Sequence, residues 1–197
     1  MTKKEQLSEL IKNQGGYLAS FDAQKLGISR AYLHEYIKAN KFEKVSHGLY
    51  KSHDAWMDDL YILSLKNEKA VFSFETALML HGLTEREPTE IFVTVPRSYN
   101  ASHLRNNGIT VYQAKEEWWA LGRTVAKTVY GNEVCVYDKE RAICDIVRVK
   151  GKKDPQMFAY ALKEYIKRTD KNLPLLIKYA KIFGIEAELR RYIEVMI

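Results

Sequence analysis

The chain is poor in the residues that stitch or punctuate a fold. Of 197 residues, two are cysteine and four are proline. Cys135 and Cys144 form no CxxC pair and no Cys/His cluster, which favours two reduced, buried thiols over a disulfide or a metal site. No apolar run approaches the ~20 residues that a membrane span needs. Met1 to Gln6 leads into a polar amphipathic pattern, not the apolar core of a signal peptide, so the expected location is cytoplasmic. Catalytic signatures are missing too: no Gly-rich phosphate loop, no GxSxG, no HExxH, and no Gly-Ser followed by an Asp-x-Asp pair. Glu75, Glu90, Asp138, Glu140 and Asp145 are the acids to try in a nuclease or phosphotransfer site. None has paired metal-ligand spacing on a strand. Asp138 reads as a helix cap, Glu90 as a strand-edge residue, and His81 as a packed histidine. No enzyme activity, metal or cofactor is expected.

What is present is an ordinary globular composition with a basic excess. Hydrophobic residues make up 46% and charged residues 28%, and the formal net charge is +6. Residues 1–52 hold nine Lys/Arg against five Asp/Glu, while the rest hold 22 against 20, so the N-terminal quarter carries most of the excess. That asymmetry points to a polyanionic partner, because neutralised phosphates supply much of the affinity for nucleic acid.

The basic part is organised around Ser20 to Lys38. Ser20–Leu26 reads as a helix with Ser20 as N-cap, and a second helix starts behind Ser29, another cap candidate. Ala23 is small enough for a close helix crossing. Gly27, four residues on, supplies the sharp turn. Leu26, Ile28, Leu33 and Ile37 are the expected inner anchors; Ala31, His34, Glu35 and Lys38 face outward. This spacing predicts a helix-turn-helix. A helix over Lys4–Asn13 precedes it, joined by Tyr17–Ala19 as a short connector. Lys41–Lys51 follows as two short strands about a turn at Ser46-His47-Gly48, although Phe42 and Val45 alternate imperfectly. Three helices and a hairpin in about fifty residues make a winged helix-turn-helix.

Ser52–Ala55 is a polar hinge, which sets expected domains at 1–52 and 56–197. Beyond it, helices are expected over Trp56–Lys66 and Phe74–Leu83, the latter capped by Ser73. Thr89–Val95 is a strand stopped by Pro96, and Ile109–Gln113 is a second. Thr124–Tyr130 and Glu133–Tyr137 flank a Gly131-Asn132 turn. The remainder is helical: a helix behind Asp138, one opened by Asp154-Pro155, one containing Pro174, and one over Glu186–Met196. The fold class is α+β, with a winged helix-turn-helix and a larger C-terminal domain whose small mixed or antiparallel sheet is covered by helices.

For DNA, Ser29 and Arg30 at the start of the second helix would meet phosphate or base edges, since Arg pairs with guanine and a helix N-terminus favours anions. Tyr32, His34 and Lys38 extend that surface, and Lys44, Ser46, His47 and Lys51 of the wing would hold the flanking backbone. Arg97, Arg148, Lys150, Lys152 and Lys153 make a second basic patch, a solvated surface or a further phosphate contact. Two other readings stay open: a nucleic-acid enzyme that the winged helix only positions, and a partner-binding module.

Leu26-Gly-Ile-Ser-Arg-Ala-Tyr-Leu33 and Phe42-Glu-Lys-Val-Ser-His-Gly-Leu-Tyr50 resemble the N-terminal winged helix of the AbiE-type antitoxins. Phe72–Leu83, Ile91–Arg97 and Val136–Arg148 are similar to segments of the C-terminal domain in that family. The resemblance implies an abortive-infection regulator that represses its own operon through inverted repeats in double-stranded DNA. It also implies neutralisation of a co-encoded nucleotidyltransferase-like toxin without a stable complex, and leaves room for self-association on DNA. One departure stands in the wing. Where the family often has Arg before Gly-Leu-Tyr, this chain has His47, and a neutral imidazole attracts phosphate less.

Overall fold

The computed structural model describes residues 1–149 and 155–196, and the fold is α+β. The chain divides into two compact units: residues 1–65 with 128–132, and residues 66–127 with 133–197. The division follows Leu65, so the polar segment 52–55 and the ten residues after it join the first unit.

The first unit opens with α1 (Lys3–Asn13), started by a reciprocal cap. The Thr2 hydroxyl accepts from the Glu5 N–H at 3.2 Å, and the Glu5 carboxylate accepts from the Thr2 N–H at 2.8 Å. β1 (Tyr17–Ala19) is a strand where a bare connector was expected, because Tyr17 and Leu18 are fully buried and the segment pairs antiparallel with the wing. Then come α2 (Ser20–Lys25), α3 (Arg30–Ala39), β2 (Glu43–Ser46) and β3 (Leu49–Lys51), the sheet order being β1-β3-β2. Ser20 is not the cap of α2; Ala19 holds that position, and the Ser20 N–H donates to the Gly48 carbonyl at 2.7 Å, tying α2 to the wing turn. Gly27 lies at φ +74, the left-handed conformation the α2–α3 turn requires. The core gathers Leu7, Leu18, Ala23, Ile28 and Leu33, with Ile37 and Phe42 packed against it. Leu26, expected among these anchors, is 43% exposed, since it ends α2 on the outer side of the turn. The imperfect alternation of the wing has a cause: the β2–β3 register shifts between Lys44 and Ser46, leaving Val45 as a bulge.

α4 (Asp59–Lys66) begins three residues later than the pattern suggested. The buried Asp58 carboxylate sets that start. It accepts from the Tyr61 N–H at 3.0 Å, from the Thr128 hydroxyl, and from Asn132 Nδ2 at 2.8 Å. The Tyr17 hydroxyl accepts from the Asp58 N–H and donates to the Trp56 carbonyl.

The second unit is built on a mixed sheet of β4 (Val71–Phe72), β5 (Phe92–Pro96), β6 (Thr110–Ala114), β7 (Arg123–Lys127) and β8 (Glu133–Tyr137), in the order β6-β5-β4-β8-β7. β5–β6 and β4–β8 pair parallel; β4–β5 and β7–β8 pair antiparallel. α5 (Phe74–Leu80), α6 (Ser102–Asn106) and α7 (Glu116–Ala120) connect the strands. α8 (Lys139–Val149) is the central helix, buried from Glu140 through Val147 and packed against α5, α9 (Pro155–Lys167) and α10 (Leu173–Phe183), with α11 (Glu186–Met196) beyond. Asp138 caps α8, its carboxylate accepting from the Arg141 N–H at 2.7 Å. Asp154, expected to cap α9, lies outside the described residues. Gly122 sits at φ +78 against α8, where a Cβ would come within 2.9 Å of the Arg141 Cβ.

His81, at the end of α5, bonds through Nε2 to the Tyr137 carbonyl at 2.7 Å. Burial pulls its pKa below the ordinary imidazole value, and the carbonyl bond only partly opposes this. The unfolded chain therefore takes up a proton that the folded state resists. Stability is expected to fall as the pH drops through ~6.5 and to level off below the folded pKa. Urea midpoints at pH 7.5 and pH 5.5 check this; His81→Gln should narrow the gap, and an unchanged gap would refute the assignment.

Candidate nucleic-acid interface

α3 is placed by one side and free on the other. Leu33 is buried, and Tyr36 and Ile37 pack partly against the core. Helical periodicity then turns Arg30, Ala31, Tyr32, His34, Glu35 and Lys38 to solvent, and all are exposed. Ser29 is the N-cap; its hydroxyl accepts from the Tyr32 N–H at 3.3 Å, leaving its own O–H to donate. Arg30 follows immediately, so the positive end of the helix and a guanidinium share one location. His34 and Glu35 are 3.7 Å apart and both exposed. The carboxylate disfavours phosphate but can accept from a cytosine amino group in a major groove.

One basic residue of this surface was beyond sequence spacing. The Lys3 ammonium lies 5.7 Å from the centre of the Tyr32 ring, bringing the start of α1 beside the exposed face of α3. Twenty-nine positions of chain separate the two, so no local pattern relates them.

In the wing, Lys44 and His47 are exposed. Ser46 and Lys51 are not presented. The Ser46 hydroxyl oxygen is buried and has no hydrogen-bond partner among the described residues. The Lys51 side chain is 9% exposed; its ammonium stands 2.8 Å from Glu43 and donates to the Ala55 carbonyl. It is directly opposite Glu43 in the β2–β3 ladder and opposite the buried Tyr17 in the β1–β3 ladder, and the alternation along β3 buries Leu49 and Lys51 while Tyr50 is half-buried. Lys51 and His53 together hold the Glu43 carboxyl below its ordinary pKa, Lys51 being the larger cause. Lys51 thus braces the wing and is taken out of the phosphate-facing set.

The second basic patch is divided. Arg97 and Arg148 line one cavity of the second unit. Lys150, Lys152 and Lys153 lie outside the described residues. Four of the five acids considered for catalysis hold structural positions. Asp138 caps α8 and accepts from the Tyr179 hydroxyl; Glu140 accepts from the Tyr165 hydroxyl and the Asn172 N–H; Asp145 pairs with Arg141 and Arg148; Glu90 accepts from the Thr110 hydroxyl. Among the described residues, no group of three or more His, Cys, Asp or Glu side chains is placed to hold a metal ion, and no helix is long and apolar enough to cross a membrane.

The fold is similar to the crystal structure of the RV2827C protein from Mycobacterium tuberculosis, with a TM-score of 0.55 over 89% of this chain and 69% of that one. Only 12% of residues are identical, so the likeness is one of fold. No curated protein sequence matches the chain. Residues 5–51, which span α1 through the wing, match the family model described as transcriptional regulator, AbiEi antitoxin. The match covers about a quarter of the chain, and over that stretch the sequence is similar to the AbiEi antitoxin transcriptional regulators.

Proposed function

We propose that this regulator binds inverted repeats in its own promoter and represses the operon that encodes it together with a nucleotidyltransferase-like toxin. The observation that carries the reading is the exposed polar face of α3, anchored from behind by Leu33 and flanked by Lys3 and the wing. In this reading α3 enters a major groove. Ser29 and the helix N-terminus take a phosphate, while Arg30, Tyr32 and His34 reach base edges and Lys38 holds the backbone at the far end. Lys44 and His47 contact the flanking backbone. The neutralising function is assigned to the C-terminal domain, residues 56–197, most of which forms the second unit, and no stable complex with the toxin is required. The protein needs no cofactor for this, and no catalytic role is assigned.

Electrophoretic shifts with the native promoter and a scrambled duplex at one salt concentration test the reading. A clear preference for the promoter supports it, and equal affinity would sink sequence-specific repression. Lys44→Ala is expected to lower affinity for both duplexes alike and to reduce the slope of log K against log salt by about 1. An unchanged slope would remove the wing from the interface.

A further inference from the structure

The second unit contains a cavity of about 190 Å³ whose lining is unevenly charged. Arg97 and Lys115 reach it from the carboxyl ends of the parallel strands β5 and β6, and Arg141 and Arg148 reach it from α8. Among the described lining residues one acid, Asp145, accompanies these four cations, and it is already engaged. It accepts from Arg141 Nε at 3.0 Å and from Arg148 Nη1 at 3.2 Å. Arg141 Nη1 donates to the Trp118 and Leu121 carbonyls, so the Nη2 amino group is the one these bonds leave over. Among the described residues, neither Arg97 nor Lys115 has an ion-pair partner, and both are exposed.

Three further features mark this as a built site. The carboxyl ends of the adjacent parallel strands β5 and β6 both open onto the cavity, so residues just past each strand converge on it. Part of the wall is aromatic: Phe74 stacks on Tyr112 with ring centres 3.9 Å apart, and Trp118 is backed by Phe183, which it meets edge-on at 5.2 Å. Phe74 is also held at φ +51, a left-handed conformation that costs a bulky residue free energy and gathers at functional sites.

We propose that this cavity binds a small phosphate monoester. A surplus of cations over one engaged carboxylate suits a dianion, and guanidinium groups match the geometry of phosphate oxygens. The size limits the rest of the ligand. The volume is worth about six waters, which suits a phosphoryl group on a short carbon skeleton. This site is independent of the DNA reading and stands or falls without it.

Calorimetric titration of the full-length protein tests the proposal, with glycerol 3-phosphate, inorganic phosphate, succinate and a 20-base-pair duplex as separate probes. Glycerol 3-phosphate is expected to bind saturably, with succinate weaker. Arg97→Gln and Lys115→Gln, both at exposed positions, should each raise its Kd by about tenfold while thermal melting stays unchanged. Quenching of tryptophan fluorescence by glycerol 3-phosphate should disappear in Trp118→Phe. Saturable binding of inorganic phosphate with the same sensitivity also supports the anion site. Three results overturn the proposal: no saturable response to either phosphate probe, affinity unchanged in both variants, or succinate binding as tightly as glycerol 3-phosphate. A response to the duplex alone, weakened by Arg97→Gln, overturns it in favour of a nucleic-acid backbone contact.

Discussion

Asp145→Ala is expected to destabilise the second unit by about 3–5 kcal/mol, because it strips the counter-ion from a buried guanidinium. Asp145 and Arg141 are each only 1% exposed, and their ion pair spans one turn of α8. Burial pushes the Asp145 pKa up, and the two guanidiniums oppose the rise. Without the carboxylate, Arg141 keeps its bonds to the Trp118 and Leu121 carbonyls and its position between the Tyr137 and Phe183 rings, 4.2 Å and 4.5 Å from their centres. Those contacts soften the loss, and Arg148, whose side chain is 30% exposed, can rehydrate. Urea unfolding followed by tryptophan fluorescence in a Trp56→Phe background reports on the second unit, where Trp118 and Trp119 lie. The double variant Arg141→Met, Asp145→Ala should recover part of the loss, since removing both charges leaves no buried ion alone. A loss under ~1 kcal/mol in the single variant would mean that water reaches Arg141.

Arg30→Ala is expected to weaken binding to the promoter by about 1–3 kcal/mol and to leave binding to scrambled DNA far less affected. The asymmetry is the informative part. A guanidinium that reads guanine loses a bidentate pair specific to one base, whereas a phosphate contact is lost equally on every sequence. Arg30 is exposed directly behind the Ser29 cap and adds no packing, so the variant should melt at the parent temperature. Parallel weakening on both duplexes would move Arg30 from the bases to the backbone. No change on either would move the interface away from the start of α3.

Much of the first unit was legible because its signals are local. The Ser29 cap, the Gly27 turn and the 3.6-residue spacing of Leu33 and Ile37 sit within ten residues of one another. Lys51 was misjudged for the opposite reason. A lysine at the end of a strand reads as solvent-facing until its cross-strand neighbour, Glu43, is known. β4 escaped notice because two residues carry no periodicity; Val71 and Phe72 form a strand only because β5 and β8 lie on either side. The basic residues of the second unit suggested a surface patch, yet Arg97 and Arg148 line a shared cavity.

The sequence by itself determined the class of the protein, the helix-turn-helix with its wing, and the face of α3 that stays polar, since each follows from capping, turn and periodicity rules acting over a few residues. Only the tertiary structure decided which lysines are free, that Lys3 stands beside Tyr32, and that Arg97, Lys115, Arg141 and Arg148 converge around one engaged carboxylate. Those outcomes depend on pairings across strands and helices far apart in the chain, where register and burial set the partner of each charge and spacing along the sequence does not.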